Sequence, residues 1–360
     1  MKFALFLFFI NLFQLFAQSI FNNRFTEHGI MNYSDRFTPK QQKEIPKERM
    51  DNWKLSSCFS YFPLEKTVLN IDLNKKNSVI SKKGTRITIH PGSFLYANFA
   101  VANGQAVAHI WEVVDSFDYM RAGIGHIYYD KYNRINYMDM GGMFKIEIFQ
   151  GNNRLRLSSE KFIDVDFPDL TPGKRMHLFM IDDSGNWVLK RDGGGIEVHK
   201  PDTNAKEGDE IPTGVRRVSI ETLTWWSFAY PTTESGSIKG EWEDPKNIGG
   251  KNFQIVAISQ DNLFYSMKWF QTKEYVIAVP IQKKIKLYLC DDLGNYSVSK
   301  IIPTGSKIGY EYLPEASDNF RQTVEKLSLD KIPPIHFRNS AALKEFMGIP
   351  EISRKVFYPD

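Results

Sequence analysis

The stretch "MHLFMIDDSGNWVLK", Met176 to Lys190, reads as an apolar run, then a cluster of Asp, Ser, Gly and Asn, then a second short extended segment. The same phrase returns in "IKLYLCDDLGNYSVS", Ile285 to Ser299. Two readings of the shared Asp-Asp-x-Gly-Asn centre compete: a metal loop and a hairpin turn. A calcium loop of the helix-loop-helix kind places oxygen ligands at alternating positions over about twelve residues and closes with a Glu. Neither copy has that spacing. Gly and Asn tolerate positive φ, and an Asp side chain bonds to its own backbone a residue or two downstream, as a tight turn between strands requires. Gly185, Asn186, Gly294 and Asn295 are therefore read as turn residues, each pair closing a hairpin, with no metal and no cofactor expected.

Outward from these turns the chain is a string of strands. "TRITIHPGSFLY", "AVAHIWEVV", "GMFKIEIFQ", "RLRLSSEKFIDVDF" and "RMHLFMI" alternate apolar and polar residues or run briefly apolar, and Gly, Asn, Pro and Asp clusters separate them. After "ETLTWWSFAYP" the pattern restarts with "GSIKGEWED", "NFQIVAIS", "EYVIAVPI" and "KIKLYLCDD". The expected fold class is all-β, two tandem β-sandwiches with a short helical C-terminal tail. The first spans 61–232 with additional hairpins and the second 233–313. In the tail, 314–360, "DNFRQTVEKLSL" and "NSAALKEFMG" change to helical periodicity and predict two short helices. An aromatic content of 14% suits pleated, half-buried surfaces.

Residues 1–17 carry a positive start at Lys2, a Phe- and Leu-rich core and a small residue, Ala17, for cleavage, which is the form of a secretory signal. The apolar core is shorter than the ~20 residues that cross a bilayer, and no later stretch reaches that length. Neither cysteine lies near the junction, so a lipid-modified mature terminus is excluded. The mature protein is expected outside the inner membrane: periplasmic, associated with the outer membrane, or extracellular. Residues 18–60, polar and rich in Asn, Lys and Gln, are expected to form an extended arm. Export permits a Cys58–Cys290 disulfide, but Cys290 ends an apolar strand, a context that favours a buried thiol. The formal charge of +4 is spread along the chain without a basic block, which argues against nucleic-acid binding.

"KKGTRITIHPGSFLYANFAVANGQAVAHIWEVVDSFDYMRAGIG", followed by "MGGMFKIEIFQGNNRLRLSSEKFIDVDFPD", resembles a β-sandwich of exported proteins from Bacteroidetes-type, spirochete and related bacteria, itself distantly similar to the sandwich of ankyrins and netrin receptors. The phrases that carry it are Gly84 to Phe94, Glu112 to Gly123, and Gly142-Met143-Phe144. "SIKGEWEDPKNIGGKNFQIVAIS" and "EYVIAVPIQKKIKLYL" are similar to a transthyretin-like sandwich of the carboxypeptidase regulatory-like type, although the usual Asp-Gly turn before its "F-x-V-P-V" strand is replaced by "FQTKEYVIAVP". The resemblance implies non-catalytic modules of surface or envelope proteins.

The residues show no catalytic motif. No Gly-x-Ser-x-Gly elbow or His-Glu-x-x-His occurs, the seven histidines have no zinc-like spacing, and "GIGH" at Gly123–His126 lacks a following lysine. His109 and His126 read as structural. The chain is expected to be a non-enzymatic protein that contacts another envelope or surface protein; the alternative is a carbohydrate-binding or glycan-handling protein with an exposed aromatic platform. Candidate contact residues are Tyr128, Tyr129, Tyr132 and Tyr137 in "IYYDKYNRINYMDM", and Trp225 and Trp226, since aromatic side chains bring large area at low entropic cost. Adjacent residues on a strand face opposite ways, so an internal core position is the simpler reading of the tryptophan pair. A flat row of accessible aromatics beside polar groups would favour a glycan; a patch joining arm, tyrosine loop and tail would favour a protein.

Overall fold

The computed structural model describes residues 63–125, 127–129, 135–183, 185–200, 211–232, 235–247, 249, 253–261, 264–270, 272–291, 293, 295–304, 321–323, 326–331, 340–349 and 353–359. The expected leader and arm, Cys58, His126, Tyr132 and Gly294 lie outside them. The protein is all-β: strands dominate, arranged in several sheets, with two α-helices among the described residues.

The largest sheet is built around one long strand, Ile135–Gln150. Its first neighbours are Gln105–Val113 on one side and Trp225–Thr232 on the other, both antiparallel; Lys66–Asp72 and the hairpin His177–Ile181/Trp187–Arg191 complete the edges. A second sheet runs in the order Glu197–His199, Val215–Ile220, Ile163–Pro168, Arg86–Ile89, Asn77–Ile80. The period of two decides which residues meet between these sheets. Ala106, Ala108 and Ile110 from one strand, Phe144, Ile146 and Ile148 from the long strand, and Ile87, Ile89, Ile163, Val165 and Phe167 from the second sheet share one buried core. The rings of Phe144, Phe167 and Phe228 stand 5.6–6.3 Å apart at its centre.

This packing explains the glycine pair in the long strand. Gly142 has φ +108, and a Cβ there would stand 2.6 Å from Phe167 Cζ and 2.9 Å from Leu170 Cδ1. The backbone passes too close to the phenylalanine for any side chain. Beside it the pairing with Trp225–Thr232 shifts register between Ser227 and Ala229.

A second group of strands follows. Ser235–Glu243 pairs with Glu274–Pro280, and Phe253–Ser259 lies between Tyr265–Phe270 and Lys284–Asp291. Ile238, Ile255, Ile277, Leu287 and Leu289 form a separate core between them. A third cluster joins everything: Met138, Met140 and Trp225 from the large sheet, Val256, Tyr265, Met267 and Tyr288 from the second group, and Leu343, Met347 and Ile349 from near the C-terminus. The junction also carries a polar link. Lys283 reaches both Asp139 at 3.2 Å and Asp261 at 3.3 Å, and Asp139 forms an isolated backbone bridge with Phe264.

One expectation about the tail and one about Cys290 need correction. The segment expected as a first helix, 318–329, contains Arg321–Thr323 and Leu327–Ser328 instead, both paired in parallel with Ser235–Glu243. Completing a sheet edge satisfies backbone groups that a helix there would leave open, and Leu327 and Leu329 enter the second core. The second expected helix is present as Ser340–Phe346. Beyond it Arg354–Val356 returns to the first group of sheets, pairing in parallel with Ile211–Thr213, and Arg86 donates to the Pro359 carbonyl at 2.8 Å while stacking on Tyr358. Cys290, expected as a free thiol, is buried but disulfide-bonded.

Gly142→Ala is expected to lower stability by about 3 kcal/mol or more, from strain plus overpacking against Phe167. Gly151→Ala, at φ +56 with nothing within 4 Å of a new Cβ, should cost only about 1 kcal/mol. Equal midpoints for the two variants in urea unfolding would contradict the close approach. Reduction of the Cys290 bond should remove about 2–5 kcal/mol, and a thermal transition indifferent to reductant would show that the bond does not constrain the fold.

Candidate functional site

The two Asp-Asp-x-Gly-Asn phrases sit between paired strands. Asp182 Oδ1 accepts from Asn186 N at 2.9 Å, Gly185 N donates to the Asp182 carbonyl at 2.8 Å, and Gly185 has φ +75. In the second copy Asp291 Oδ1 accepts from Leu293 N at 3.0 Å and Asn295 N at 2.8 Å, while Asn295 Nδ2 donates to Asp291 Oδ2 at 2.7 Å. Both leading aspartates are thus engaged by their own turns. Among the described residues no group of three His, Cys, Asp or Glu is placed to hold a metal ion.

Among the candidate contact residues, Tyr137, Trp225 and Trp226 are buried. Trp226 is 1% exposed, packs between the two sheets and donates Nε1 to the Thr222 carbonyl at 3.0 Å; its neighbour Trp225 enters the junction cluster. Tyr137 is buried with Phe264 and Ala278. Tyr128 is half-buried, its ring 5.0 Å from Phe179. Tyr129 lies in the short strand Ile127–Tyr129, paired with Ile135. These positions correct the expectation of an aromatic contact surface at Tyr137, Trp225 and Trp226: the long strand and its neighbour both face cores there, and the alternation that separates the tryptophans sends each into a different one.

A different aromatic row lies on the outer face of the large sheet. In "QAVAHIWEV" the residues that alternate with the buried Ala106, Ala108 and Ile110 are Val107, His109 and Trp111, all half-buried. The register sets Glu147 beside His109 and Lys145 beside Trp111. The His109 ring is 4.8 Å from Phe149 and 5.9 Å from Trp111. Lys66 and Lys145 hold their ammonium groups 5.7 and 5.3 Å from the Trp111 ring centre, a cation–π arrangement. Glu147 pairs with Lys145 at 2.7 Å and Arg154 at 3.2 Å. Lys66 Nζ is 3.3 Å from His109 Nδ1, which as a neutral ring nitrogen accepts. Burial, and then the charge of Lys66, lower the His109 pKa against the opposing pull of Glu147. His109, expected to be structural, therefore stands inside a surface row. The signal for it is the parity of Val-x-His-x-Trp, legible once the inward residues are known. No family model, curated protein or solved structure matches this chain.

The second polar feature is a cleft of about 650 Å³ where the first helix, Ser116–Ala122, meets the C-terminal segment. The helix is short and capped at both ends. Asp115 accepts from Asp118 N at 2.9 Å, and Gly123, at φ +63, donates its N–H to the Tyr119 carbonyl. The strand phrase "AVAHIWEVV" stops at Val114 and no helix is expected directly after it, although Asp-x-x-Asp and a closing Ala-Gly are cap signals. Capping aims both aspartates at cations. Asp115 Oδ2 meets Lys344 Nζ at 2.7 Å across the junction, and Asp118 meets Lys83 at 2.6 Å and Arg121 at 2.9 Å. Burial works against the Asp115 charge, but Lys344 and the cap bond hold its pKa below the ordinary value.

Behind the cleft Glu112 is 2% exposed, accepting from Ser81 Oγ at 2.6 Å and Thr85 N at 3.2 Å. Burial raises its pKa above the usual 4.5, outweighing those hydrogen bonds and Lys83. A carboxyl whose pKa is raised by folding favours the fold when protonated, and that contribution is lost as pH rises through the folded value. Glu112→Gln keeps an acceptor for both donors and removes the titration. At neutral pH the variant should be as stable as the native protein or more so, and the difference should shrink as the pH falls toward 4.5. A variant destabilised at neutral pH and equally so in acid would contradict a raised pKa.

Proposed function

We propose that the protein is an exported, non-enzymatic binding protein of the cell envelope. Its strands are arranged as two tandem sandwiches, the first of the Ig-like kind seen in ankyrins and netrin receptors and the second transthyretin-like. Supporting this reading, the large sheet and the second sheet close on one core, and the later strands close on another. The residues that join them are buried.

The observation that carries the binding role is the outer row of Phe149, His109 and Trp111, bordered by Lys66, Lys145, Glu147 and Arg154. An aromatic centre with a rim of charges of both signs is the anatomy of a protein interface. The ammonium groups over Trp111 favour a protein partner over a sugar, since a sugar ring would have to displace both to stack. The row's flat setting on a sheet face favours the second reading, a carbohydrate ligand, and the two readings predict different losses.

Envelope preparations treated with protease, with periodate or left untreated should be titrated with the mature protein and with Trp111→Ala. Saturable binding that protease removes and periodate spares, weakened at least about tenfold in Trp111→Ala, is the expected result. Loss to periodate alone would transfer the site to carbohydrate. Equal binding by native protein and variant would sink the assignment of the row.

A further inference from the structure

The cleft beside the first helix holds more positive charge than its own carboxylates neutralise. Five cationic side chains line it against three carboxylates. Asp118 is shared by Lys83 and Arg121, and Asp115 is taken by Lys344. Arg354, at the start of the strand Arg354–Val356, is half-buried on the cleft wall, and its guanidinium makes no hydrogen bond or ion pair among the described residues. The Arg121 side chain is 5% exposed and, although its terminal nitrogens are engaged, its buried Nε finds no partner among the described residues. A guanidinium held out of water without an acceptor is costly, and a fork of planar N–H donors fits a carboxylate or a phosphate. Burial lowers the Arg354 pKa even though Asp115 and Asp118 oppose the shift, so nearby charge does not replace the missing hydrogen bonds.

We propose that this cleft is a binding site for a small ligand carrying an anionic group, a carboxylate or a phosphate, with Arg354 as its principal donor and Lys83 beside it. About 650 Å³ is room for a ligand of one or two sugar-sized rings. The site is made by two distant parts of the chain. Lys83 and Arg121 come from the first group of strands, Lys344 and Arg354 from the C-terminal segment, and the Lys344–Asp115 pair holds the two walls together. The ligand need not displace that pair, because both aspartates keep their lysines while Arg354 takes the anion.

The test uses the full mature chain at constant ionic strength, titrated calorimetrically with inorganic phosphate and, separately, with glucuronate, alongside Arg354→Gln and Arg354→Lys. Saturable binding of at least one probe by the native chain is expected, about tenfold or more weaker in Arg354→Gln, as the loss of a charged hydrogen bond requires, and partly restored in Arg354→Lys. Binding of phosphate alone would define a phosphate ester site; binding of glucuronate alone would define a carboxylate site. Absence of saturable binding by either probe, or equal affinity in the native chain and Arg354→Gln, would overturn the proposal. Lys83→Gln, scored in the same way, serves if Arg354→Gln does not fold; unchanged affinity in it would also overturn the proposal.

Discussion

The junction cluster is the contact on which the rest of the molecule depends. Met138 and Met140 belong to the same strand as Phe144, Ile146 and Ile148, so one continuous backbone delivers side chains to two cores. The register shift beside Gly142 falls between the two sets. Methionine is suited to the junction side, because an unbranched, polarisable chain fills the irregular space where a sheet, a second group of strands and a helix converge. Buried apolar area of this kind, at about 25 cal/mol per Å², makes separation of the two groups of strands costly. Lys283 with Asp139 adds direction more than strength, since burial, with a smaller push from the Asp261 charge, raises the Asp139 pKa despite the lysine.

What was legible in the sequence was whatever depends on local pattern. Alternation located the strands, and the Asp and Gly chemistry identified turns whose side-chain bonds are short-range. What escaped depended on partners remote in sequence. Phe320, Val324 and Leu327 recur at helical spacing while Leu327 and Leu329 are two apart, the strand period, and only the open edge of Ser235–Glu243 decides between them. Trp225 and Trp226 could be assigned to opposite faces, but not to particular cores. The outer row needed the reverse inference: His109 and Trp111 are on the surface because Ala106, Ala108 and Ile110 are not. The cleft was invisible in principle, since Lys83 and Arg354 become neighbours only through the packing of the C-terminal segment on the first helix.

The two polar features differ in physical character. On the outer row the charges are half-exposed and mutually paired, so salt screens them and their role lies in steering and specificity. In the cleft Asp115, Asp118, Arg121 and Lys344 are largely removed from water, and satisfaction of each donor matters more than net charge. Asp115 illustrates the economy of the second arrangement. One carboxylate caps a helix with one oxygen and fastens the C-terminal segment with the other.

The parallel pairing of Arg354–Val356 with Ile211–Thr213 has a kinetic corollary. Strand partners so far apart in the chain impose a high contact order, and the search for them is slow relative to any hairpin. The first group of strands cannot acquire its last partner until residues made after the entire second group have emerged. A chain of this design collapses early into its hairpins but locks late, and it stays loose through most of its synthesis.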